Sequence, residues 1–99
     1  MGEELRTTFA STAGGVMTEE AGAITGELEL LTYTGEGGDS RLEVLVRYAG
    51  AKEWYTVSGS PLPAYGEDHG SLHEEVLARL TTPGPTESGN ELPVDLRGR

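Results

Sequence analysis

His69 and His73 stand four residues apart, with Glu67 and Asp68 just ahead of them. One helical turn separates positions i and i+4, so both imidazoles can share a face. Two imidazoles and a carboxylate are ligand types of zinc and iron sites. His73-Glu74 also opens the His-Glu-x-x-His pattern, but Leu77 stands where the second histidine belongs. Ser71 with Glu74 three residues on makes a capping box, which puts His69 ahead of the helix. The expectation is no metal centre. His69, His73 and Asp68 are the nearest the chain comes to a ligand set.

Other chemistry-bearing groups fall short in similar ways. Gly35-Glu36-Gly37-Gly38 is glycine-rich, yet a phosphate cradle needs a helix behind it and no repelling carboxylates. Ser58, Ser60 and Ser71 lie outside any Gly-x-Ser-x-Gly elbow, and with two histidines a triad would have to use residues 65–73. Glu27, Glu29 and Glu43 could pair as acid and base, but they read as a solvated, charged strand surface near Arg47. The chain is expected to be no enzyme and to need no cofactor.

The elements that would position these groups follow from periodicity. Leu5–Ser11 alternates weakly and is rich in threonine, as a first strand. Residues 12–23 read as a loop with a helical turn near Thr18-Glu19-Glu20. Glu27–Thr34 and Arg41–Tyr48 alternate clearly and flank a glycine-rich turn at residues 35–39, so they predict a hairpin. A turn over 35–39 sets Glu27 against Arg47, Leu28 against Val46, Leu30 against Val44 and Thr32 against Leu42. Gly50-Ala51 suits a type II′ turn into a fourth strand, Lys52–Val57. In that register Tyr55 faces Val46, Val57 faces Val44, and Trp54 falls beside Arg47.

A long connection, residues 58–70, leads to a helix with Leu72, Val76, Leu77 and Leu80 on one side. Pro83-Gly84-Pro85 stops it. The prediction is an α+β fold: a four-stranded, meander-like antiparallel sheet with one C-terminal helix on one face. Residues 1–82 form the single domain. Residues 83–99, with three prolines and three glycines, are expected to be a flexible tail.

One helix covers one sheet face. The other carries Leu31, Tyr33, Leu45, Arg47 and Trp54, and aromatic and arginine side chains are typical interface anchors. The net charge is −10, with seventeen carboxylates against seven Lys and Arg. Direct nucleic-acid binding and anionic membranes are disfavoured, since both need a basic footprint. The tail holds Glu87, Glu91 and Asp95 against Arg97 and Arg99, so nearly all the acidity lies in the domain. There is no cysteine, hence no disulfide or thiolate metal site. The acidic start, Met1-Gly2-Glu3-Glu4, lacks both a signal-peptide and a myristoylation pattern, and a cytoplasmic location is expected.

The functional expectation is a small acidic interaction protein that binds a protein partner, favourably a basic one, or a second copy as a homodimer. The alternatives are a ligand or metal module, or a small enzyme, built on residues 60–73, and an acidic nucleic-acid mimic that occupies a basic DNA- or RNA-binding protein.

Overall fold

Alternating side chains dictate the architecture, because a strand sends successive residues to opposite faces. The computed structural model describes residues 4–34, 41–64 and 66–97. The strands are β1 (Glu4–Ala10), β2 (Val16–Thr18), β3 (Gly22–Ile24), β4 (Glu27–Thr34), β5 (Arg41–Tyr48), β6 (Tyr55–Thr56), β7 (Leu62–Pro63), β8 (Thr86–Glu87) and β9 (Asn90–Glu91); the helix is α1 (His69–Thr81). The main sheet runs β1-β4-β5-β6 with every pairing antiparallel, and β7 adds to β5. This is the expected α+β class with its meander order.

The hairpin register differs from expectation by two residues. Leu28 pairs with Tyr48, Leu30 with Val46, Thr32 with Val44 and Glu29, not Glu27, with Arg47. An even shift leaves every side chain on its own face. The intervening turn lies outside the described residues. The next turn also differs: Ala51 N donates to Tyr48 O, and Gly50 has φ 85°. Gly50 is thus the third residue of a type II-like turn, which requires positive φ there. The fourth strand keeps its predicted register, with Tyr55 on Val46, but shortens to two residues.

Phe9, Leu28, Leu30, Leu42, Val44 and Val46 form the inner face. Leu72, Val76 and Leu80 of α1 pack on it. The predicted loop over 12–23 is instead the β2–β3 hairpin, and it covers the rest of that face with Val16 and Ile24. Its own turn takes the place of the expected helical turn at 18–20.

The expected flexible tail is corrected as far as Arg97. Val94 and Leu96 are buried in the same core. Met17 N donates to Val94 O, Val94 N to Gly15 O and Leu96 N to Ser58 O. The body is shaped to receive the tail: a Cβ on Gly14 would collide with Leu92 O, and one on Gly59 would sit 2.6 Å from Leu96 C. The alternation of Leu92, Val94 and Leu96 outweighs the prolines because a backbone partner is already in place.

Helix α1 also begins earlier than the capping box implies. Asp68 is the N-cap, and its carboxylate accepts from Ser71 N at 3.0 Å. His69 therefore lies inside the first turn. Asp68→Ala is expected to cost about 1 kcal/mol and Ser71→Ala almost nothing. Urea midpoints of the two variants check which residue is the cap.

The two edges of the main sheet differ. Beside β6, Glu19 N donates to Thr56 O, and the Glu20 carboxylate accepts from Thr56 N at 2.6 Å and Thr56 Oγ1 at 2.7 Å. Those bonds hold the Glu20 carboxyl below its usual range. Beyond β1 no strand follows among the described residues.

Candidate functional site

The outer face of the main sheet is built by the odd positions of β4 and β5 and the even positions of β1. Register sets Arg6, Leu31, Leu45 and Thr56 in one row across four strands. Thr8, Glu29 and Arg47 form the next row, and Glu4, Tyr33 and Glu43 the row on the other side. The predicted residues Leu31, Tyr33, Leu45, Arg47 and Trp54 are thus brought together.

Trp54 is the centre of this face. Its ring lies 4.4 Å from the Arg47 guanidinium carbon and 5.7 Å from that of Arg6. Arg6 belongs to β1 and Trp54 precedes β6, three strand spacings of about 4.8 Å apart. The two side chains therefore reach toward each other over Leu31 and Leu45. Leu31 is only 5% exposed although it lies outside the inner core. A cation over an indole is a favourable arrangement, because the ring face is electron-rich. Arg47 is fixed from its other side: Nε and Nη2 both donate to Glu29 Oε1, at 2.7 and 2.6 Å. Arg6 donates to Glu4 at 3.3 Å.

The charge of this face departs from that of the whole. It carries Glu4, Glu27, Glu29 and Glu43 against Arg6, Arg41 and Arg47, nearly neutral in a chain of −10. The excess acid lies elsewhere. Arg6 is a member of the site that sequence reasoning missed. Its signal was its even position on a first strand whose odd residues, Leu5 and Phe9, face inward.

A second group of polar residues lies under α1. Thr7 Oγ1 is 2.8 Å from His73 Nε2, His73 Nδ1 is 2.7 Å from Thr32 Oγ1, and Thr32 Oγ1 is 2.9 Å from His69 Nε2. The four form a chain across β1, α1 and β4. His73 is 3% exposed and Thr32 is fully buried. Burial lowers the proton affinity of His73; Glu74 partly offsets this and His69 adds to it. Thr7 and Thr32 were also missed. They are hydroxyl positions on the inner strand faces, among Phe9, Leu28 and Leu30.

Both nitrogens of His73 face threonine hydroxyls, and Asp68 caps the helix. Among the described residues no three His, Asp or Glu converge as a metal site would need. The connection before the helix lies on the sheet, with Leu62 buried opposite Leu42. Ser58 Oγ donates to Glu19, Ser60 Oγ accepts from Val44 N, and Ser71 Oγ donates to Asp68.

A shallow cavity of about 500 Å³ opens between the end of α1 and the folded tail, lined by Ala78, Arg79, Pro85, Val94 and Asp95. Arg79 is committed there to the carbonyls of Asp95 and Arg97, at 2.9 and 3.1 Å. No helix among the described residues is long and apolar enough to cross a membrane. The chain matches no family model, no curated protein and no solved structure.

Proposed function

We propose that this protein is a non-catalytic interaction module that docks a protein partner on the outer sheet face. The observation that carries this reading is Trp54 with the guanidinium groups of both Arg6 and Arg47 over its ring, on the face that holds Leu31 and Leu45. Helix α1, the β2–β3 hairpin and the tail contribute their apolar side chains to the inner face, and among the described residues only Glu20, at the Thr56 edge, is seen to reach the outer one from them. Tryptophan, tyrosine and arginine held rigidly on a scaffold are the residues that supply most binding energy at interfaces. Pre-stacking lowers the entropy that docking must overcome.

The charge distribution divides recognition into two parts. The acidic remainder of the surface steers a basic partner toward the chain. The near-neutral docking face then makes the contact without relying on net charge. Salt should therefore slow association while dissociation changes little. An acidic nucleic-acid mimic would instead lose affinity steeply with salt through its whole contact surface.

The test is Trp54→Ala beside a control, Tyr48→Ala. Tyr48 is the large exposed hydrophobic side chain of the inner-face rim, 42% exposed and edge-on to Tyr55 at 6.5 Å. With circular dichroism unchanged, Trp54→Ala is expected to weaken association tenfold or more in pull-down and sedimentation, and Tyr48→Ala to leave it intact. Equal affinity of Trp54→Ala and the parent would sink the reading.

A further inference from the structure

The chain Thr7–His73–Thr32–His69 joins three elements through side chains alone, and its chemistry is constrained by one hydrogen. Thr32 Oγ1 lies within hydrogen-bond reach of two ring nitrogens, His69 Nε2 and His73 Nδ1. A hydroxyl has a single hydrogen to give. It can donate to one ring only, so the other ring must donate to it.

With both rings neutral, two arrangements satisfy these three bonds. In one, Thr7 donates to His73 Nε2, His73 Nδ1 donates to Thr32, and Thr32 donates to His69. In the other, His69 donates to Thr32, Thr32 donates to His73 Nδ1, and His73 Nε2 donates to Thr7. A proton arriving at half-buried His69 puts hydrogen on both of its nitrogens and selects the second arrangement. The tautomer of buried His73 is then set by the charge on His69. A second proton has no such solution. Thr32 would face two donors, its own hydrogen would lose its acceptor, and two imidazolium rings would be separated by one oxygen.

The surroundings offer little compensation. The inner-face neighbours on β1 and β4 are Leu5, Phe9, Leu30 and Thr34, all uncharged. Glu74 on α1 favours a proton on His73, while His69 disfavours it. Glu67 and Asp68 precede the helix, and the Asp68 carboxylate is held by Ser71.

We infer that Thr7, His73, Thr32 and His69 form a single-proton site: the two rings together bind one proton while α1 is docked, and a second proton requires its first turn to leave the sheet. The site makes docking of α1 on β1 and β4 sensitive to acid. Its input is His69, at the helix start, and its output is the grip of His73 on two strands.

Imidazole ¹⁵N NMR of the full chain between pH 8 and 5 tests this. As His69 takes up its proton, His73 Nδ1 should move to the shift of an unprotonated acceptor nitrogen, with the same midpoint. A second uptake should coincide with loss of amide-exchange protection over residues 70–73. Thr32→Val should abolish the correlated movement. Should that variant fail to fold, His69→Ala decides: the His73 ring shifts should stay flat through the parental midpoint. Two unrelated midpoints in the parent, or two imidazolium rings with the first turn still protected, would overturn the inference.

Discussion

A chain ending at Thr82 is expected to lose cooperative folding, although its missing part looks expendable by composition. The lost segment includes Val94 and Leu96, 8% and 2% exposed, and backbone bonds to Gly15, Met17 and Ser58. Its removal would open Val16, fully buried and bridged to Val94, to water. The single substitution Leu96→Ala should cost about 2–5 kcal/mol, the usual range for emptying a leucine site in a core. Total stabilities of about 5–15 kcal/mol make that a large fraction. Urea unfolding of both variants is the measurement. A tail that contributed nothing would leave both midpoints at the parental value.

Stability is also expected to fall on mild acidification, with His73 as the main source. Burial disfavours its charged form in the folded state, so its proton affinity lies below the ordinary histidine value of 6.5. The unfolded chain then binds more protons than the folded one below that pH. Folding free energy is therefore fully present above about pH 6.5 and is lost as pH falls. One proton corresponds to a slope approaching about 1.4 kcal/mol per pH unit. Urea midpoints between pH 7.5 and 5.5 should fall accordingly, above the range where most carboxylates titrate. His73→Gln keeps hydrogen-bonding groups toward Thr7 and Thr32 but cannot titrate, and should flatten most of this dependence. A parental midpoint constant over that range would contradict the buried neutral state.

Much of the sheet was legible because its information is local and periodic. The alternation in Glu27–Thr34 and Arg41–Tyr48 assigned every inner and outer side chain correctly, even with the register displaced by two. Turn geometry at the undescribed residues sets that displacement, and face assignment does not feel an even shift. Outer-face neighbours such as Trp54 and Arg47 followed from the same rule. What escaped was non-local. The His–Thr chain joins residues separated by 37 to 66 positions. Its partners are visible only once β1 and β4 are side by side. Between Asp68 and Ser71, two adequate caps, propensity could not choose. Starting at Asp68 brings His69 into the first turn, where it reaches Thr32. The tail failed for a related reason: its short apolar alternation has meaning only against the glycines that accept it, Gly14 and Gly59.

The unequal edges of the main sheet give its growth a direction. On the β6 side, the outward backbone of Thr56 is already occupied by Glu19 and Glu20. On the β1 side, seven residues end the sheet with no further strand among those described. Among the described residues, β1 is thus the long edge of the sheet that presents its backbone for a further strand. Two copies meeting there would join their sheets through β1 and leave the β6 edges, held by Glu19 and Glu20, facing outward.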